Sequence, residues 1–267
     1  MCIRDSTWFA NIDTSTVVPE VAIGRLPVAD VTTLDAIIDK LIAHDVTVAA
    51  GPVNATAVLV ADDDDSGFGL ATRRLARQLP DNLTLRFIDA AAYPPGDPTA
   101  DLLGALAAGA SLVHYSGHGD VTRWGNWQGG ILLTVEDVSG LEGAPVLVTM
   151  ANCLSNFFVG PAVSLGEALF QHSAGALAVW GPTGLGTPTA HGELMGAFYN
   201  ALFQQEETLL GDATLAAFRA LPADAPATQD LIATYVLLGD PTARLPRQRA
   251  APDVLLPIIR QPPQRMP

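Results

Sequence analysis

Apolar positions in this chain fall into short unbroken runs that alternate with stretches patterned at helical spacing. The runs at 57–61, 83–88, 111–116, 145–151, 176–180 and 234–238 are rich in strand-forming residues and bounded by turn formers, which predicts strands. They are apolar throughout instead of alternating, as in parallel sheets covered on both faces. Between them the spacing predicts helices over 68–79, 99–108, 165–172, 192–203 and 212–221. Ahead of the first run, Leu34, Ile37, Ile38, Leu41 and Ile42 recur at helical spacing, with Asp30 or Thr32 as the cap. Strands alternating with helices imply crossover units. The expected fold class is therefore α/β, a mostly parallel sheet of about six strands with helices on both faces.

Two of these strands carry the chemistry. The run Ser111-Leu-Val-His-Tyr-Ser breaks at Gly117-His118-Gly119-Asp120, and the run Pro145-Val-Leu-Val-Thr-Met-Ala breaks at Asn152-Cys153. Open parallel sheets bind ligands beyond the carboxyl ends of their strands. If the two strands are neighbours, His118 and Cys153, 153 − 118 = 35 positions apart, share one rim. An imidazole beside a thiol is what a Cys–His nucleophile requires. By itself a lone interior cysteine is more often a small buried hydrophobe.

Composition narrows the classes. A chain of 267 residues with 49% hydrophobic and 16% charged positions is globular. A net charge of −14 argues against nucleic acid as a partner, because that affinity comes from Lys and Arg on phosphates. No run approaches the roughly 18 apolar residues of a membrane span. The two cysteines, Cys2 and Cys153, make no disulfide framework. Ser116 lacks a G-x-S-x-G setting, and Gly181-x-x-Gly-x-Gly lacks the Lys of a phosphate loop. His114, inside a strand, reads as a satisfied core histidine; His172 and His191 read as surface residues, and Asp240 as a turn residue.

Five segments in order, Tyr-Ser-Gly-His118-Gly, Met-Ala-Asn-Cys153, Ser-Leu-Gly-Glu-Ala-Leu-Phe, Gly-Ala-Leu-Ala-Val-Trp-Gly and Tyr-Val-Leu-Leu-Gly-Asp-Pro, resemble the gingipain-type cysteine peptidases. Val-Pro-Glu-Val-Ala-Ile-Gly-Arg-Leu-Pro resembles the join before that family's catalytic subdomain, and the match spans about 17–245. The resemblance implies a caspase-like three-layer sandwich and a cysteine endopeptidase that acts on protein or peptide through an acyl-thioester. Cys153 is then the nucleophile, His118 the general base, and the N–H groups of Gly119 and Cys153 the oxyanion hole. No cofactor is required. The acidic run Asp62 to Asp65 ends a strand on the same rim. Asp62 or Asp63 is the expected orienter of His118; a calcium site at Asp62, Asp63 and Asp64 and a merely solvated loop are the alternatives. The resemblance places the substrate pocket around Asp120, Trp180, Pro182 and Thr183, with Arg or Lys before the scissile bond. Asp89, Asp97 and Glu193 are the other acids considered as that cation's partner. The rival class is a non-catalytic caspase-like module used for binding or assembly.

The expected organisation is a terminal scar over 1–16, a remnant of a preceding subdomain or packing arm over 17–55, the catalytic domain over 56–245, and a Pro/Arg-rich tail over 246–267. Truncation at the amino end and a secreted or cell-surface location are further expectations; the location leans on the apolar Leu255-Leu-Pro-Ile-Ile-Arg260.

Overall fold

The structure is a computed structural model that describes residues 5–13, 15–50, 56–93, 97–125, 130–143, 147–205 and 207–245. The tail over 246–267 and residues 1–4 of the expected scar lie outside the described residues.

The elements are α1 (Asp5–Ala10), α2 (Val31–Ala50), β1 (Thr56–Ala61), α3 (Ser66–Ala76), β2 (Thr84–Asp89), α4 (Pro98–Ala107), β3 (Leu112–Ser116), β4 (Arg123–Gly125), β5 (Ile131–Thr134), α5 (Val135–Val138), β6 (Leu147–Ala151), α6 (Leu165–Gln171), β7 (Ala178–Pro182), α7 (Pro188–Tyr199), α8 (Leu210–Ala220), α9 (Pro226–Thr234) and β8 (Tyr235–Leu238). Six strands form one sheet in the order β2-β1-β3-β6-β7-β8. All neighbours run parallel except β7 and β8. The carboxyl ends of β1, β3, β6 and β7 therefore share one rim, where antiparallel β8 contributes its amino end.

Strand pleating explains the layers, because successive side chains point to opposite faces. On β1, Ala57 and Leu59 join a core with Leu75, Phe198, Leu210 and Leu231, which belong to α3, α7, α8 and α9. Val58 and Val60 join a second core with Ile37, Leu102 and Leu169 from α2, α4 and α6. These helices cover both faces, so all five residues of β3 are buried.

Two departures from the sequence reading have clear causes, and the arm packs as one of its alternatives allowed. The join between β3 and β6 holds an antiparallel hairpin, β4 and β5, too short to leave a periodic signal. Residues 5–10 of the expected scar form α1, anchored where the Thr7 hydroxyl donates to the Ile232 carbonyl at 3.2 Å. The arm that follows extends the sheet edge: Arg25 N–H donates to Leu237, and Gly239 N–H donates to Arg25, both at 2.9 Å. α2 is held by buried Lys40, whose Nζ donates to the carbonyls of Phe170, His172 and Ala176 at the end of α6 and beyond it.

Candidate active site

The register of β3 and β6 brings the two chemical residues to matching positions. Ser116 pairs with Ala151, and His118 and Cys153 each lie two residues further on. Gly117 N–H donates to the Ala151 carbonyl at 3.2 Å, which prolongs the pairing past the strand ends. A Cβ at Gly117 would stand 2.3 Å from the Tyr115 hydroxyl and 2.5 Å from the Asp62 Cβ, so this turn admits only glycine.

His118 is held mainly by its backbone. Its N–H donates to Asp62 Oδ2 at 2.9 Å. Its carbonyl accepts from the Tyr115 hydroxyl at 2.5 Å and from Gly125 N–H at 3.0 Å. Tyr115 stacks on Trp124 with centroids 4.5 Å apart, which fixes the hydroxyl that fixes the loop. The imidazole meets the Phe68 ring edge-on at 5.4 Å. Its Nε2 lies 3.5 Å from Asp64 Oδ2, with side-chain exposures of 53% and 29%. That distance exceeds an ordinary hydrogen bond and suits an ion pair once the ring is protonated.

The carboxylate facing the ring is therefore Asp64, where Asp62 or Asp63 was expected. Asp62 is buried and both its oxygens are occupied, by His118 N–H and by Asp63 N–H at 3.0 Å. Burial raises its pKa, those two N–H bonds oppose the rise, and the Asp64 and Asp63 charges add to it. Asp63 Oδ2 accepts Gly130 N–H at 3.2 Å, while its Oδ1 is buried without a partner. Asp65 caps α3 by accepting Gly67 N–H at 2.7 Å. Oxygens of Asp62, Asp63 and Asp64 lie within 4.8 Å of one another and could hold a cation, although the N–H bonds on Asp62 compete for that role.

Cys153 is half-buried, its thiol 3.9 Å from the Gly186 carbonyl. Among the described residues no hydrogen bond joins thiol and imidazole. The next residue, Leu154, has φ +63°, a left-handed conformation that costs a side-chain-bearing residue roughly 1–3 kcal/mol. It is held there by its N–H on the Gly184 carbonyl at 3.1 Å. Among the described residues the N–H groups of Gly119 and Cys153 donate to no protein acceptor, so both amides are available to a ligand oxygen.

The expected pocket residues fare differently. Trp180 and Thr183 are 1% and 0% exposed and Pro182 is buried, so none of them lines an open pocket. Trp180 packs on Phe198 and Tyr235, because β7 is a central strand covered on both faces. The exposed part of that segment starts at Leu185, which is 71% exposed. Asp120 is held by Arg123 at 2.7 Å and by Thr122; burial opposes its ionisation, but these contacts leave its pKa lowered. Asp89 pairs with Arg73 at 3.0 Å, Asp97 caps α4, and Glu193 is exposed on α7. His191, expected at the surface, is 3% exposed in α7, and burial lowers its pKa to about 4. His114 is buried as expected, with Thr149 and Ser116 hydroxyls each 2.9 Å from a ring nitrogen. Burial lowers its pKa to about 3, so it is a neutral core group. Sequence reasoning missed Tyr115, Asn152 and Ser155, which read as ordinary strand and turn residues.

A six-stranded sheet in this order, with a histidine and a cysteine past adjacent strand ends, defines an α/β protein of the caspase-like class. Residues 4–246 match peptidase family C25, and the chain belongs to that family. By structure it is similar to the Arg-specific cysteine proteinase gingipain R, with a TM-score of 0.75, 17% identity, and 90% of this chain on 59% of that one. A complex of Porphyromonas gingivalis RgpB pro- and mature domains gives 0.71 at 17% identity, over 90% of this chain and 60% of that one. The Saccharomyces cerevisiae separase–securin complex gives 0.52 at 13% identity, over 76% of this chain and 13% of that one. These likenesses show the fold, and the chain spans less than two thirds of the gingipain R chain. No curated protein matches this chain by sequence.

Proposed function

We propose that this chain carries the catalytic site of a cysteine endopeptidase. In this reading His118 takes the Cys153 proton as sulfur attacks the scissile carbonyl. The carbonyl oxygen gains negative charge and is met by the N–H groups of Gly119 and Cys153. His118 then returns the proton to the leaving amine, which leaves an acyl-thioester on Cys153. Water, deprotonated by His118, attacks the thioester; thiol and carboxylate are released. The observation that carries the reading is the pair of acceptor-free N–H groups beside an accessible thiol at the strand ends. Oriented donors of this kind contribute on the order of 3 kcal/mol each to acyl transfer. Thiol, imidazole and amides suffice for the chemistry, so no metal is assigned a step.

Protein or peptide is the substrate, with Arg or Lys before the scissile bond. Support for the basic preference lies in the acidic rim, where Asp62, Asp63 and Asp64 cluster at the end of β1. Asp120 is a poor candidate for that role because Arg123 already neutralises it. Fluorogenic peptides differing only in Arg, Lys, Ala or Leu at that position test this: Arg and Lys peptides are expected to be cut fastest, and equal or slower cutting would refute the preference. An exported location fits the family; no helix of the described residues is long and apolar enough to cross a membrane.

A labelled peptidyl chloromethyl ketone tests the chemistry directly. The endopeptidase reading predicts one label, on Cys153. An unmodified Cys153 after exposure to a panel of such probes would favour the non-catalytic binding module.

A further inference from the structure

A buried polar chain runs between the nucleophile turn and the histidine loop. Asn152, the residue before Cys153, is buried, and its Nδ2 donates to Ser155 Oγ at 2.6 Å. Ser155, equally buried, donates from Oγ to the Asp120 carbonyl at 3.2 Å. The Asn152 amide also abuts Gly119: a Cβ there would stand 2.4 Å from Nδ2 and 3.2 Å from Cγ. Asn152 Oδ1 is buried and, among the described residues, accepts no hydrogen bond. An unsatisfied buried amide oxygen is a cost that an apolar side chain of similar shape would avoid. That cost offsets the Nδ2 hydrogen bond, so folding stability alone is a weak reason for an asparagine here.

What the chain does connect is specific. Gly119 and Cys153 carry the two acceptor-free N–H groups, and Asn152 and Ser155 tie the loop of the first to the turn of the second. We propose that Asn152 and Ser155 are positioning residues that set the spacing of the two oxyanion donors. Asn152 seats Gly119 by contact, and Ser155 holds the Asp120 carbonyl just beyond it. The inference rests on the peptidase reading of the same site. Its physical basis is that such donors act by being in place before charge develops, so a small displacement reduces their effect.

The test compares Asn152→Ala and Ser155→Ala with wild type, using the peptide that wild type cuts fastest, the aldehyde of that peptide, and iodoacetamide. The aldehyde forms a hemithioacetal whose oxygen needs the two donors; iodoacetamide alkylates the thiol without an oxyanion. A misplacement of about 1 Å can cost about 100-fold in rate, so a fall in kcat of about 10- to 100-fold is expected. The aldehyde should weaken by the same factor, while KM and the iodoacetamide rate stay within about threefold, because neither depends on preorganised oxyanion donors. Ser155→Ala removes a single oxygen and carries the test if Asn152→Ala does not fold. Unchanged kcat and aldehyde affinity would overturn the proposal. So would an iodoacetamide rate that falls in step with kcat, since that marks general damage to the site. A wild-type chain that cuts no peptide would remove the peptidase reading and this inference with it; an active wild type with unaffected variants removes the inference alone.

Discussion

Asp62 holds His118 by the backbone, with its Oδ2 2.9 Å from the His118 N–H, and leaves the imidazole to Asp64. Two adjacent carboxylates thus divide the work: one fixes where the loop is, the other faces the ring. The division follows from position, because Asp62 is buried at the crevice between β1 and β3 whereas Asp64 stands further out in solvent.

Asp64→Asn is therefore expected to lower kcat/KM while leaving stability almost unchanged. A buried orienting carboxylate can be worth about 10⁴-fold. This pair is exposed and 3.5 Å apart, and solvent screening reduces the expected loss to about tenfold. Steady-state kinetics beside a thermal melt reads both quantities. A large drop in melting temperature with unchanged kcat/KM would assign Asp64 to structure instead.

Asp62→Ala is expected to destabilise the fold, because two N–H groups lose their acceptor at about 1–3 kcal/mol each where buried. The isosteric Asp62→Asn isolates the charge. Burial raises the folded carboxyl above its ordinary 3.8, so its favourable contribution is complete below about pH 3.8 and is lost as pH rises through the folded value. Denaturant titrations should show wild type losing ground to Asp62→Asn as pH rises from 3.5 to 7. A difference that is flat with pH would contradict the assignment.

Lys40 ties α2 to the end of α6, and burial lowers its pKa from 10.5 to about 8. Between those values the folded state binds fewer protons than the unfolded one, so stability rises with pH. Wild type measured against Lys40→Met should gain on the order of 2–3 kcal/mol between pH 7.5 and 10.5. No gain across that window would mean that the three carbonyls hold a fully protonated ammonium.

The central sheet was legible because its strands are apolar on both faces: 57–61, 111–116 and 145–151 correspond to β1, β3 and β6 within a few residues. Cys153 and His118 could be placed on one rim for the same reason, since strand ends in a parallel sheet are read directly from where apolar runs stop. α9 was missed because its nine residues begin at Pro226 and mix small and polar positions. Side-chain partners were not legible. Nothing in four consecutive aspartates says that the first faces inward and the third faces the ring; that depends on how the turn leaves β1. Trp180, Pro182 and Thr183 were expected as pocket walls because the family resemblance places the pocket at this loop, yet the helices packed on β7 bury them. Asn152 lies inside the Met-Ala-Asn-Cys153 segment but no role could be read for it there, and Ser155 carries no motif; their meaning lies in contacts with a loop more than thirty positions away.

Cleavage of a mixed peptide library by wild type and by Cys153→Ala, read by mass spectrometry, tests the central claim most directly. The account predicts cut peptides with wild type and none above background with Cys153→Ala, whose fold should be intact by circular dichroism. Cleavage by Cys153→Ala at the wild-type rate would contradict it.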